Sequence, residues 1–309
     1  MSINILYCFD DNYNLQALTS INSLLDEASE ILDIYIIHNN PDSFNSLSKN
    51  IQTHKNTKNI TITKFEKENL NFPNLTNSHV SEATYYRLFI ERLLPNSLDK
   101  VLYLDADIIC NADPVKEIKE NFNNLSDSEK TVASVFENFS PTEIKELEAR
   151  LNINGNKYFN AGVMFIDLEK WRKKSIESLS LEIIKEKNNE LKFWDQDVLN
   201  IIFNDDVAEI SNSLNYIINI EKETSIPKAT RFIHYAGSFK PWTVRGAIEK
   251  NSIHYMSQFR KLGLGKFHLT HSWKLSSISY LIKSILSLKI KNTRYPFSFI
   301  LQVIRTLLK

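Results

Sequence analysis

Two carboxylates separated by one small residue close a short apolar run, Val101-Leu-Tyr-Leu-Asp-Ala-Asp107. If the chain stays extended, Asp105 and Asp107 flank Ala106 and point to the same side, where both can reach one hard divalent cation. Such a cation would neutralise a pyrophosphate and stabilise it as a leaving group. An Asp-x-Asp at a strand end is more often a polar turn, so the reading depends on what converges on the same place.

Four other segments carry polar residues of the right kind. Asp10-Asp11-Asn12 follows the apolar run Ile3–Phe9. In Arg231-Phe-Ile-His-Tyr-Ala-Gly-Ser-Phe-Lys-Pro-Trp242, a neutral His234 could complete a cation shell, Gly237 lets backbone approach a phosphate, and Lys240 adds positive charge. A lone His beside Tyr and Phe is more often a satisfied core residue. Asn160 and Gly162 interrupt Phe159-Asn-Ala-Gly-Val-Met-Phe-Ile166, leaving room for a ligand hydroxyl or marking a β-bulge. Trp194-Asp-Gln-Asp-Val198 opens a helix, where Asp195 and Gln196 line a sugar pocket or Asp195 caps the helix.

Short β-branched and aromatic runs alternate with amphipathic segments, the pattern of a largely parallel sheet flanked by helices. Strands are expected at Ile3–Phe9, Ile34–His38, Ile60–Phe65, Val101–Asp105, Thr131–Phe136, Tyr158–Ile166 and Arg231–Tyr235. Helices are expected at Asn14–Leu25, Ser43–Thr53, Thr84–Leu94, Pro141–Leu151, Ile176–Glu186 and Gln196–Phe203, with Ser140 as N-cap and Pro141 at N1. Ligands of open α/β sheets bind at the carboxyl ends of the strands, and Asp10, Asp105, Asp107 and His234 all fall there.

With 309 residues, 42% hydrophobic and 24% charged, the chain can bury a substantial core. Cys8 and Cys110, its two cysteines, lie far apart in apolar runs, which argues against a disulfide framework or a cysteine zinc site. The start Met1-Ser-Ile-Asn-Ile-Leu-Tyr7 lacks the pattern of a signal peptide, so a cytoplasmic location is expected. The zero net charge hides an asymmetry: from Lys250 to Lys309 there are eleven Lys or Arg and no acid, +11 against −11 for the first 249 residues. A catalytic domain over 1–245 is therefore expected, followed by a basic, amphipathic helical tail over 246–309. Within the tail, Ser277–Ile290 and Pro296–Leu308 are too short and too charged to span a bilayer. They suit peripheral attachment to the anionic inner face of the cell membrane, with helices packed on the catalytic domain or on another subunit as the competing reading.

Six blocks taken in order resemble glycosyltransferase family 8, and within it the bacterial lipooligosaccharide and lipopolysaccharide α-galactosyl- and α-glucosyltransferases. They are Phe9–Tyr13, His79–Leu88, Val101–Asp107, Tyr158–Val163, Trp194–Asn200 and His234–Trp242. The resemblance covers about residues 1–245 and implies a GT-A fold and an α-retaining transfer of hexose from UDP-galactose or UDP-glucose to a surface glycan. It also implies Mn²⁺, or Mg²⁺, as cofactor, and no nucleic-acid partner. Carried over position by position, it implies uridine contacts at Asp10 and Asn12, with the backbone around Cys8 and Val80 nearby. Asp105, Asp107 and His234 would be metal ligands, with Ala106 between them. Arg87, Asn160, Asp195 and Gln196 would hold the sugar, Gly237 and Lys240 the diphosphate, and Gln196 would lie under the anomeric carbon.

An amide is a poor nucleophile, and Asp197, the neighbouring carboxylate, should point elsewhere on a helix. A front-face transfer is therefore expected, in which the donor phosphate takes the acceptor's proton and Gln196, Asp195 and Lys240 orient and stabilise. The family's acidic sugar contact in a Ser-Ile-Asp context has no direct match in Ser134-Val-Phe-Glu-Asn138, which leaves Glu137 or Asn138 for that role and the sugar epimer open. Two rival classes are a sugar nucleotidyltransferase, disfavoured by the acidic loop Asp10-Asp11-Asn12, and a non-catalytic scaffold, disfavoured by the intact Asp105, Asp107 and His234.

Overall fold

The computed structural model of the chain describes residues 2–67, 70, 72–73, 81–222, 224–270 and 274–307. Ten strands occur among them: β1 (Ile3–Phe9), β2 (Leu32–His38), β3 (Thr57–Lys64), β4 (Lys100–Leu104), β5 (Ile108–Cys110), β6 (Val132–Ser134), β7 (Val163–Asp167), β8 (Val207–Glu209), β9 (Tyr216–Ile217) and β10 (Phe232–His234). Seven form the main sheet in the order β3-β2-β1-β4-β7-β6-β8. Only β7 runs against its neighbours β4 and β6. Central β1 is buried along nearly its whole length, as its unbroken apolar sequence requires of a strand covered on both faces.

A second sheet, β5-β10-β9, is built from strands of two or three residues. β5 and β9 fall outside the expected strands because segments this short carry no readable alternation. Yet β5 and β10 decide where the chemistry goes. They pair antiparallel with His234 opposite Ile108, and Tyr235 N–H donates to Asp107 O at 3.1 Å. A histidine 127 residues downstream is thus locked beside the Asp-x-Asp segment.

The helix Pro141–Leu151 starts as expected, with Pro141 in its first turn and a reciprocal capping box between Ser140 and Glu143. Other expectations change, among them the helix at 43–53, which is two short helices, Pro41–Asn45 and Lys49–Gln52. The expected helix at 84–94 is a 3₁₀ helix, Glu82–Phe89, followed by a single α-turn, Ile90–Leu93. At three residues per turn, Thr84 and Arg87 eclipse on one face. The expected strand 158–166 begins only at Val163, and before it Phe159 makes an isolated bridge to Phe136. There Asn200 clamps the backbone from the helix Trp194–Phe203, accepting from Phe159 N–H at 2.7 Å and donating to Phe159 O at 2.9 Å.

Beyond residue 245 the helices Ile253–Lys261, Lys274–Leu286 and Pro296–Leu307 follow. Tyr255, Phe259, Leu281, Ile290, Phe299 and Val303 belong to the same apolar cluster as β1 and the helix Asn14–Glu27. Glu249, the last acid of the chain, is buried and joined to Lys289 and to the Tyr280 hydroxyl, each at 2.6 Å. The opposite faces of these helices expose Leu275, Ile282, Leu286, Phe297, Leu301 and Ile304. Among the described residues no helix is long and apolar enough to cross a membrane.

This two-faced packing predicts opposite outcomes for two phenylalanines two residues apart, on opposite sides of one helix. Phe299 is fully buried, so Phe299→Ala should lower unfolding free energy in urea by about 3–5 kcal/mol. Phe297 is 83% exposed, and Phe297→Ala should leave the midpoint unchanged.

Candidate active site

Asp105 and Asp107 meet through a turn, which corrects the extended-chain expectation. β4 ends at Leu104, Ile108 N–H donates back to Asp105 O at 3.3 Å, and β5 starts immediately after. One ligand atom from each of Asp105, Asp107 and His234 lies within 4.8 Å of the other two. His234 Nε2 is 3.2 Å from Asp107 Oδ1, a buried oxygen that has no hydrogen-bond partner. A buried carboxylate oxygen left unsatisfied beside an imidazole nitrogen is what a cation site looks like without its ion, so the residues fit a divalent cation with mixed oxygen and nitrogen ligands.

Gly162 makes the cluster possible sterically. A Cβ there would lie 2.4 Å from His234 Cε1 and 2.9 Å from Asp105 Oδ2, so any side chain would push into the ligands. The room that Gly162 leaves is therefore filled by the histidine and the carboxylate of the chain itself. Gly237 differs: its φ of +80° favours glycine, and nothing lies within 4 Å of its absent side chain.

Lys240 is buried, and its ammonium bonds to Asp107 Oδ2 and, at 2.7 Å, to Tyr235 O. Burial pushes the Asp107 carboxyl up, but Lys240 and His234 outweigh it and hold the group below the ordinary carboxylate range. Burial likewise opposes the Lys240 charge, yet Asp107 keeps that ammonium protonated beyond its usual range.

Arg87 links this cluster to a second one. Its Nη1 is 3.1 Å from Asp105 Oδ1, and its Nε is 2.7 Å from Asp195 Oδ2. Its guanidinium lies over the Tyr103 ring at 4.4 Å, and the Tyr103 hydroxyl donates to Asp105 Oδ1 at 2.6 Å. Thr84, one 3₁₀ turn before Arg87, donates its hydroxyl to Asp195. Burial raises the Asp195 carboxyl to about 6, against the pull of Arg87 and Thr84.

Gln196 is held at both ends of its amide. Ala161 N–H donates to Oε1 at 3.0 Å, and Nε2 donates to the Tyr158 hydroxyl at 3.3 Å. Asp197 points away from the cleft, as expected: it is fully buried, 2.6 Å from Arg150 Nη1, and accepts from Tyr158 at 2.7 Å. Asn160 donates to Glu137 Oε1 at 2.7 Å.

These groups line one cleft of about 380 Å³ at the carboxyl ends of β1 and β4. Cys8, Arg87, Asp105, Ala106, Asp107, Asn160, Asp195, Gln196, His234, Gly237 and Lys240 all contribute to its wall, as does Glu137. Asp10 and Asn12 stand outside that wall. Asp10 caps the turn Asp11–Tyr13 by accepting from Asn12 N–H at 3.0 Å, and Tyr13 faces the cleft. Val80 lies outside the described residues. Sequence reading passed over Tyr103, Thr84, Tyr158 and Asn215. Spacing could have flagged the first two, since Tyr103 shares a strand face with Asp105 and Thr84 sits three residues before Arg87. Asn215 carries no such signal.

The chain matches the sequence model of Glycosyl transferase family 8 over residues 4–245. It belongs to that family. Among its relatives, the lipopolysaccharide 1,2-glucosyltransferase of Escherichia coli K12 is 31% identical over 255 residues, covering 78% of this chain and 72% of that protein. The lipopolysaccharide 1,3-galactosyltransferase of Salmonella typhimurium LT2 is 32% identical over 175 residues, covering 53% of this chain and 50% of its own. The crystal structure of the galactosyltransferase LgtC with donor and acceptor sugar analogues superposes with a TM-score of 0.69 at 20% identity, covering 89% of this chain and all of LgtC. The apo form of GlyE from Streptococcus pneumoniae TIGR4 gives 0.62 at 19%, covering 92% and 64%. The fold of this glycosyltransferase is accordingly GT-A.

The raised Asp195 carboxyl predicts a pH signature. Between 3.8, its ordinary value, and about 6, the folded chain holds a proton that the unfolded chain has released. Asp195 therefore costs the native state stability as pH rises through that window. Asp195→Asn should remove this component, seen as a smaller fall of its Tm than of the wild type's between about pH 4 and 7.

Proposed function

We propose that this family 8 member transfers a hexose from a UDP-sugar to a glycan with retention of the α-configuration, using Mn²⁺ held by Asp105, Asp107 and His234. The observation that carries the reading is the convergence of these three ligands with Asp195 and Gln196 on one cleft. The cation supplies charge neutralisation of the leaving UDP. Everything else falls to the chain. Lys240 lies beside Asp107 and offers a second positive charge to the diphosphate, while the Gly237 turn brings backbone close. Arg87, Asn160 and Asp195 hold the sugar. Gln196, fixed through Ala161 and Tyr158, orients the anomeric carbon without attacking it.

With Asp197 spent on Arg150 and Tyr158, and Asp195 on Arg87 and Thr84, the described residues near Gln196 offer no free carboxylate as nucleophile. This supports a front-face transfer in which a donor phosphate oxygen takes the acceptor hydroxyl's proton. Glu137, tied to Asn160, takes the role of the acidic sugar contact and discriminates UDP-galactose from UDP-glucose. The uridine is assigned to Asp10 and Asn12 with the backbone near Cys8, at the rim formed by Tyr13. The names of the relatives favour a lipopolysaccharide or related surface glycan as acceptor.

The tail, in this reading, docks the enzyme on an anionic membrane. Its outer faces combine exposed Leu286, Phe297 and Leu301 with a charge of +11 from residue 250 onward. Arg260, Lys266 and Arg294 gather within 6 Å of the Tyr295 ring, and no acid pairs with them among the described residues. Such a surface suits phospholipid headgroups.

UDP release from UDP-galactose and UDP-glucose, measured with a panel of truncated glycans, should require Mn²⁺, and Asp105→Asn should lower turnover about 10²–10³-fold. Absence of manganese-dependent release from every donor tried would overturn the assignment. For the tail, Phe297→Glu with Leu301→Glu should weaken binding to anionic vesicles while soluble turnover stays unchanged; equal vesicle binding by the variant counts against membrane docking.

A further inference from the structure

A chain of hydrogen bonds runs from the sugar end of the cleft to the cation ligands, and its proton directions can be deduced. It starts at Gly162, whose backbone N–H can only donate. That N–H meets Asn160 Oδ1 at 3.0 Å, so the Asn160 atom there is the oxygen and its NH₂ is turned to Glu137. Asn215 meets the same oxygen at 2.9 Å and must therefore present its own NH₂. Its Oδ1 is then the atom 2.8 Å from His234 Nδ1. An oxygen facing a ring nitrogen needs a proton between them, so Nδ1 carries it. Nε2, 3.2 Å from Asp107 Oδ1, is therefore the nitrogen whose lone pair the neutral ring offers to a cation. A proton or a cation between Nε2 and Oδ1 keeps the two from repelling, and a divalent cation lying against both replaces the proton.

We propose that Asn215 is a positioning residue that fixes His234 in the Nδ1–H tautomer, turns Nε2 into the cation site, and couples that site through Asn160 to the donor sugar. The inference rests on the cation reading above. Asn215 itself is 2% exposed and sits between the turn Asn212–Leu214 and β9, which pairs in parallel with β10, so backbone fixes it beside His234. A residue that merely satisfied buried polar atoms would stabilise the fold without selecting a tautomer or a metal affinity.

The test uses the full chain and three readouts. In the metal-free wild type, ¹⁵N NMR of the His234 ring, taken at a pH high enough to make the ring neutral, should show Nδ1 protonated and Nε2 bare; the reverse tautomer would overturn the proposal, with no donor or turnover needed. Calorimetric titration with Mn²⁺ alone should find Asn215→Leu binding about 10–100-fold more weakly than wild type. Asn215→Asp keeps an acceptor for Nδ1–H but sets a carboxylate oxygen against Asn160 Oδ1. It should retain Mn²⁺ affinity while raising the KM for the UDP-sugar. Unchanged Mn²⁺ affinity in a folded Asn215→Leu, or weakened affinity in Asn215→Asp with unchanged donor KM, would sink the coupling. Should Asn215→Leu fail to fold, the wild-type tautomer and the aspartate variant still decide. If no UDP-sugar is turned over at all, the tautomer and the metal titration still report on Asn215 separately.

Discussion

The pairing of β10 with β5 is the constraint on which the site depends. Three residue pairs of antiparallel ladder place His234 opposite Ile108, so that a residue distant in sequence stands next to Asp107. Neither strand is long enough to be stable alone. Both are held because Ile108, Ile109, Phe232 and Ile233 are buried in the main apolar core, which makes the Asp105, Asp107 and His234 cluster an extension of the core and not a surface loop. The ladder also carries β9, and with it Asn215, into contact with the imidazole.

Like charges crowd this cleft, and the structure manages them by alternation. Asp195, Arg87, Asp105, His234, Asp107 and Lys240 follow one another across the cleft with acids and bases interleaved. Buried charges are costly unless paired and hydrogen-bonded, and here each has at least one opposite partner. The balance is not complete, since Asp195 still has a raised carboxyl and Asp107 still has an unsatisfied oxygen. Both residual costs sit on the cleft wall, where a cation and a polar sugar would relieve them.

The segment after residue 245 shows how one stretch can serve two surfaces. Its inner face completes the core beneath β10: the Tyr235 hydroxyl donates to Asn251 O at 2.8 Å, and Tyr255 N–H donates to the same hydroxyl at 3.2 Å. Its outer face keeps the bulky apolar residues that a water-exposed helix normally replaces with charged ones. The packing on the catalytic domain, one of the two readings set against each other in the sequence, accounts for the inner face, and the outer face stays exposed.

The sequence by itself determined the layered α/β class, the placement of polar residues at strand ends and the start of the helix at Ser140 and Pro141, because periodicity and capping are local properties. It also marked six blocks specific enough to indicate the family, and most of the cleft wall lies in them. It could not determine how those blocks meet. Asp105 and Asp107 converge by a turn that depends on Gly162 O and the short β5 ladder, and the 3₁₀ helix that aligns Thr84 with Arg87 sets both against Asp195, a carboxylate far away in sequence. Asn215 was invisible for the same reason: an asparagine in a loop has no local signature. Its meaning comes from a histidine and an asparagine that only the closed sheet brings to its two sides.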